Sequence, residues 1–226
     1  MTIRAVFLDA LGTLVELPPP WPALVAELAA RGVTVSEADA RAALLDEMAY
    51  YRAHHDEATG SVELDDLRDR CTEVLRGALP EHARGAGDLR AALLASLRFR
   101  SYPEAPDVLA ALGELGVKRV VVSNWDVSLH DVLARTGLAP LVDGAAISAE
   151  LGVAKPDPAI FAHALEVAGG IRPADALHAG DSVEADVAGA RAAGIEAVLV
   201  QRDEGIPAPQ GVRVVRSLAA LVGEAT

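Results

Sequence analysis

The sequence predicts an α/β fold built on a parallel sheet, and three observations predict it. Short β-branched and apolar runs recur along the chain, each stopped by a polar residue or glycine, as Arg4-Ala5-Val6-Phe7-Leu8 is stopped by Asp9. Helical patterns of about ten residues lie between them, the alternation expected of βα units. Hydrophobic residues make up 51% of the 226 and charged ones 23%, which supplies a core and excludes a disordered chain.

The first strand covers 4–8 and ends in a turn marked by Asp9 and Gly12. The segment 17–100 is different. It opens on Pro18-Pro19-Pro20-Trp21-Pro22 and closes near Ser101-Tyr102-Pro103 and Pro106, prolines that stiffen both joints of an inserted unit. Only helical signals occur inside it. Ser36 with Asp39 resembles a capping box, and Leu44, Met48 and Tyr51 give the helix that follows an apolar face. The stretches 62–78 and 86–98 are helical in pattern as well. Beyond the insertion, strands are predicted over 119–122, 144–147, 176–179, 196–200 and 212–215. Helices are predicted over 106–115, 128–136, 157–168, 184–193 and 217–222. The expected division is therefore an α/β core of 1–16 and 101–226 with a helical unit of 17–100. Ligands of such sheets bind beyond the carboxyl ends of the strands, and Asp9, Ser123 and Asp181 each fall there.

Charge narrows the partners. Lys and Arg number 20 against 33 Asp and Glu, a net charge of −13, which argues against nucleic acid or an anionic membrane. No uncharged apolar run approaches the roughly 18–20 residues of a membrane span, and the start lacks the pattern of a signal peptide. Cys71 is the only cysteine, so no disulfide framework or thiolate metal cluster is expected. A soluble, reduced, cytoplasmic protein is the expectation. Lys118 and Lys155 are the only lysines and Asn124 the only asparagine.

Four short motifs carry chemistry. Asp9-Ala10-Leu11-Gly12-Thr13 places a carboxylate at a strand end ahead of backbone amides able to face an anion. Ser123-Asn124 ends the next core strand, Lys155-Pro156 precedes a proline-started helix, and Gly180-Asp181 is followed by Asp186. Two acids converging at a strand-to-helix turn suit a hard cation with oxygen ligands. Each motif alone is equally read as a turn, a strand terminus, a solvated charge or a helix cap. Their order is more specific, with spacings of 114, 32 and 26 residues between Asp9, Ser123, Lys155 and Asp181.

In that order the motifs resemble the haloacid dehalogenase-like superfamily of hydrolases, in the class with a helical cap inserted after the first motif. The resemblance covers essentially the whole chain. It implies a Rossmann-like core with Asp9 as nucleophile, Ser123 holding a transferring phosphoryl oxygen and Lys155 neutralising the crowded charge. It implies Mg²⁺ held by Asp9, Asp181 and Asp186 with the Leu11 carbonyl, and Ala10, Leu11 and Asn124 beside a small anionic substrate, a phosphate ester. The cap would close over the site and select the substrate.

Phosphatases of the superfamily normally carry a second Asp two residues after the nucleophile as general acid and base, and here Leu11 stands there. Its carbonyl can bind Mg²⁺, but its side chain cannot protonate a leaving group. Asp-Ala-x-Gly-Thr is similar to the first motif of 2-haloacid dehalogenases, whose halide needs no proton and which use no metal. Gly180-Asp181 instead resembles the Mg²⁺-dependent phosphatases. The phosphonatase branch is excluded because 17–100 contains no lysine. A Mg²⁺-dependent phosphatase acting through an aspartyl-phosphate is the first expectation. A metal-independent dehalogenase and a catalytically weak binding or regulatory member are its rivals. His54 and His55 are candidate proton donors, Arg41 and Arg52 candidate anion binders, and Trp125 and Asp126 candidate cleft residues.

Overall fold

Every residue of β1 (Ala5–Leu8) is buried, so this strand is apolar on both faces rather than alternating. The computed structural model, which describes residues 2–203 and 205–224, continues into β2 (Val15–Glu16) and four helices: α1 (Trp21–Ala30), α2 (Glu37–His54), α3 (Ser61–Ala78) and α4 (Leu89–Ser96). The α/β pattern resumes through β3 (Arg100–Ser101), α5 (Ala105–Glu114), β4 (Lys118–Ser123), α6 (Leu129–Arg135), β5 (Gly144–Ile147), α7 (Ser148–Leu151) and α8 (Pro158–Val167). It ends with β6 (Ala176–Gly180), a π-helical turn at Val183–Ala188, α9 (Gly189–Ala192), β7 (Glu196–Val200), β8 (Arg213–Val215) and α10 (Ala220–Glu224).

Six strands form one sheet in the order β5-β4-β1-β6-β7-β8, and every neighbouring pair is parallel. The chain runs outward from β1 to β4 and β5, then crosses to the other side of β1 for β6, β7 and β8. The strand order thus reverses at β1, the position at which ligands of doubly wound sheets bind. Ala5, Phe7, Val120 and Val122 pack with Ile160, Phe161 and Ala164 of α8 in one apolar layer. The α/β class is as predicted.

The chain divides into two units, one of the residues up to Glu16 with those from Arg100 onward, the other Leu17–Phe99. Arg100, which the sequence assigned to the insertion, instead forms β3 with Ser101 and pairs antiparallel with β2, Arg100 beside Glu16. Two-residue strands are too short to show a period. The helix predicted over 184–193 is a π turn followed by α9, and the one predicted over 217–222 begins only at Ala220.

Within the helical unit, α2 packs on α3 and α1 on both α4 and α2. Ser36 caps α2, its hydroxyl accepting from the Asp39 N–H at 3.0 Å and donating to Asp39 Oδ2 at 2.6 Å. The face α2 buries is Ala40, Ala43, Leu44 and Glu47, whereas Met48 and Tyr51 are only half-buried. A carboxyl thus occupies the seam where the sequence pattern showed an apolar stripe.

Burial pushes the Glu47 carboxyl up to about 7 from its ordinary 4.5, and a hydrogen bond with Cys71 acts the other way. The folded state therefore holds this proton more tightly than the unfolded chain. Its contribution to stability is present below pH 4.5 and is lost as pH rises through about 7. Glu47→Gln, which carries no charge to desolvate, is expected to stabilise the protein near pH 8 by up to about 3 kcal/mol and to do little near pH 5. Urea unfolding of both forms at the two pH values checks this, and equal gains at both would contradict it.

Candidate active site

Three strand ends build the site. The register sets Leu8 beside Val121 of β4 and Ala179 of β6, so Asp9, Ser123 and Asp181 emerge from one edge of the sheet. Two glycines let the acids approach. Gly12 has a φ of +85°, and a Cβ there would lie 2.0 Å from Asp181 Oδ2. A Cβ on Gly180 would lie 2.1 Å from the Asp186 carboxyl carbon. The loop after Asp9 is held by the Ala10 carbonyl, which accepts from the N–H groups of Thr13, Leu14 and Val15.

One cation sits among these carboxylates. Lys155 Nζ donates to Asp9 Oδ1 at 2.6 Å and to Asp186 Oδ1 at 2.7 Å, and all three side chains are buried. The Ser123 hydroxyl donates to Asp9 Oδ1 at 3.4 Å. Asp9, Asp181 and Asp186 each offer a carboxylate oxygen, and these oxygens lie within 4.8 Å of one another. Burial pushes Asp9 up to about 6; Lys155 opposes this, while Asp186 and Asp181 add to it. Asp181, exposed in the structure, is raised by desolvation and by Asp186. Burial works to raise Asp186, but Lys155 and the His178 hydrogen bond outweigh it and hold that carboxyl well below the usual range. Burial works against the Lys155 ammonium, yet Asp9 and Asp186 raise its pKa above the ordinary value.

The remaining predicted residues fall into place less evenly. Asn124, expected at the substrate, uses both ends of its amide on the Lys155 backbone: Nδ2 donates to the carbonyl at 2.9 Å and Oδ1 accepts the N–H at 2.7 Å. It fixes the backbone of the lysine. Ala10 is fully buried, and Leu11 is 45% exposed. Trp125 and Asp126, expected to line a cleft, are buried; the Trp125 N–H donates to Ser148 Oγ and Asp126 Oδ1 accepts from the Ser128 N–H at the start of α6. In the helical unit, His54 stacks on Tyr50 at 4.0 Å, and the Arg41 guanidinium lies 5.5 Å from the centre of the Trp21 ring.

A buried strand-end carboxylate, a strand-end serine, a lysine bridging two acids and a third acid on the neighbouring strand end bring the four motifs together in space. The model of the haloacid dehalogenase-like hydrolase family matches residues 3–194. The chain belongs to this family.

Among curated relatives, a phosphoserine phosphatase of Thermus thermophilus is 40% identical over 136 residues, 57% of this chain and 53% of that protein. The chain thus matches about half the length of that relative. Solved structures share the fold across its whole length. A haloacid dehalogenase-like phosphatase from Thermococcus onnurineus matches with a TM-score of 0.67 at 22% identity, covering 98% of this chain and 97% of that one. An L-2-haloacid dehalogenase from Xanthobacter autotrophicus matches with a TM-score of 0.65 at 23% identity, covering 98% of each. The family fold therefore houses both chemistries, and only the site distinguishes them.

Sequence reasoning missed two polar residues of this haloacid dehalogenase-like hydrolase. His178, in the interior of β6, bonds Asp186 at 2.8 Å; a polar side chain inside the run Ala176-Leu177-His178-Ala179 was the available signal. Arg202, just past β7, donates to the Thr13 carbonyl at 2.9 Å, bonds Glu104, and lies over the Tyr102 ring at 3.5 Å. It anchors the loop that follows Asp9, and no short motif marks it.

Proposed function

We propose that the protein is a Mg²⁺-dependent phosphatase of a small phosphorylated metabolite, acting in the cytoplasm through an aspartyl-phosphate on Asp9. The observation that carries this reading is the acidic trio. Three carboxylate oxygens within 4.8 Å repel by about 4 kcal/mol per pair at an effective dielectric near 20. Lys155 offsets one charge of the three. A hydrolase that uses no metal has no need of such a cluster, whereas a hard cation does. The donor set is all oxygen, so it fits Mg²⁺, with Asp9, the Leu11 carbonyl, Asp181 and Asp186 as the holding residues. Bound there, Mg²⁺ would supply the positive charge that lets an anionic carboxylate approach an anionic phosphate. The phosphoserine phosphatase likeness supports the same chemistry.

The chain's own groups divide the remaining work. Lys155 and Ser123 both donate to Asp9 Oδ1, which leaves Oδ2 with its lone pairs for attack on phosphorus. As that bond forms, the ester bond breaks and the leaving oxygen departs with the electron pair. Water then attacks the phosphorus of the aspartyl-phosphate, returning the Asp9 carboxylate and releasing inorganic phosphate. Ser123 and Lys155, both beside Asp9, would donate to phosphoryl oxygens in both steps. Among the described residues, no helix is long and apolar enough to cross a membrane.

The test is metal removal. Excess chelator is expected to abolish aryl phosphate hydrolysis, with full recovery on adding Mg²⁺. Asp181→Asn should weaken Mg²⁺ binding, measured by calorimetry, together with turnover. Undiminished hydrolysis in chelator would sink the reading.

A further inference from the structure

We infer that His178 is a positioning residue that fixes the Asp186 carboxylate and, through Lys155, the nucleophile Asp9. The inference deepens the phosphatase reading, and its activity measurements rest on it.

His178 lies in an apolar layer. Its ring is fully buried on β6 and meets the Phe161 ring of α8 edge-on, with centroids 5.0 Å apart and planes at 83°. Phe161 belongs to the layer formed with Ala5, Phe7 and Ala176. An imidazole there has lost its hydration, and burying a polar group costs free energy unless a hydrogen bond compensates. The ring has one such bond, Nε2 to Asp186 Oδ1 at 2.8 Å, while Nδ1 is buried without a partner. Core packing alone does not account for it, since leucine would fill the same layer at no polar cost. What the ring adds is a donor aimed at Asp186.

That donor completes a set of three. Asp186 Oδ1 accepts from His178 and from Lys155 Nζ at 2.7 Å, and Oδ2 accepts from the Ser182 N–H at 2.9 Å. Donors on both oxygens fix the carboxylate's plane as well as its position. They are needed because Asp186 rides on a π turn, a local distortion that re-aims side chains and recurs at functional sites. The result is an unbroken chain of four buried side chains, His178 to Asp186 to Lys155 to Asp9, with links of 2.8, 2.7 and 2.6 Å. Without His178, Asp186 keeps one donor on each oxygen instead of three in all, so its carboxylate and the Lys155 ammonium bonded to it are held less tightly at the distance that suits Asp9. Partners that orient metal-ligating or catalytic carboxylates typically contribute roughly 10–100-fold in metal affinity or activity.

Two variants and a metal-free measurement test the inference. His178→Leu keeps the volume and removes the donor. His178→Gln returns an N–H close to the place of Nε2. The leucine variant is expected to lose roughly 10–100-fold in kcat and in Mg²⁺ affinity by calorimetry, with KM for an aryl phosphate changed far less. The glutamine variant should recover most of both losses. Melting temperatures should stay at or above the parent's for the leucine variant, which separates positioning from stability. Parent-like kcat and Mg²⁺ affinity in His178→Leu, or a glutamine variant no better than leucine, would overturn the inference. In the metal-free parent, the His178 Nε2–H should give a slowly exchanging proton resonance that Asp186→Leu abolishes. A ring proton that exchanges freely with solvent would overturn the inference even if the parent proved to bind no Mg²⁺. A parent that binds no Mg²⁺ but keeps the protected ring proton would count against the phosphatase reading alone.

Discussion

Replacing Asp9 by Asn is expected to abolish hydrolysis of phosphate esters, by roughly 10⁴–10⁶-fold, the scale seen when a nucleophilic catalytic unit is disabled. Asn keeps the shape of the side chain and a carbonyl oxygen able to accept from Lys155 and Ser123, but that oxygen cannot form the acyl-phosphate bond. The fold is expected to survive and to gain stability. Asp9 is pushed up to about 6 from 3.8, chiefly by burial, so the folded state binds its proton more tightly than the unfolded chain does. Stability from this group is present below pH 3.8 and is lost as pH rises through about 6. In metal-free protein near pH 7, the neutral amide should therefore be more stable than the carboxylate by up to about 3 kcal/mol. Phosphate release and thermal melting in chelator, measured on one preparation, check both halves. A mutant as active as the parent would place the chemistry elsewhere.

The second large effect centres on Leu11. Its side chain is 45% exposed and carries no proton to give, so the leaving group must depart as an anion or take its proton from another source. Nitrophenolate or acyl leaving groups tolerate this, while a simple alkoxide does not. Activity should fall steeply as the leaving-group pKa rises, with aryl and acyl phosphates far ahead of alkyl phosphates. Leu11→Asp should flatten that dependence and raise alkyl phosphate turnover by about 10²-fold, the lower end of a general-acid contribution. The new carboxylate joins Asp9 and its neighbours, so the variant should also depend more tightly on Mg²⁺. Rates measured across a series of leaving groups, in parent and variant, decide the matter. A flat profile in the parent would mean that a different group supplies the proton.

How far the site was legible in the sequence follows from which physical signals are local. Parallel strands are buried on both faces, so β1, β4 and β6 stand out as apolar runs, and the polar residue that follows each run points to the ligand-binding edge of the sheet. Asp9, Ser123 and Asp181 were legible as residues that follow strand ends, whereas Lys155 lies in the loop between α7 and α8 and was legible only through the resemblance of the four ordered motifs to the family. The partner of Asn124 was not legible, since a clamp between two loops depends on register beyond the strands. His178 was hidden by the same burial that makes β6 recognisable, and its meaning depends on a π turn that a helical period does not reveal. Glu47 was obscured because it continues the burial stripe of α2 as a carboxyl, against the usual rule for charged side chains. The pairing of β2 with β3 involves Glu16 and Arg100, 84 residues apart, and such short strands leave no periodic trace.

The central claim is that the acidic trio serves phosphate chemistry on a fold that also serves dehalogenases. The most direct measurement supplies one preparation, with Mg²⁺ present, first with a nitrophenyl phosphate and then with 2-chloropropionate, and counts phosphate and chloride released. The account predicts phosphate release that stops on chelation, and no chloride. Chloride release that persists in chelator, with no phosphate released, would contradict it.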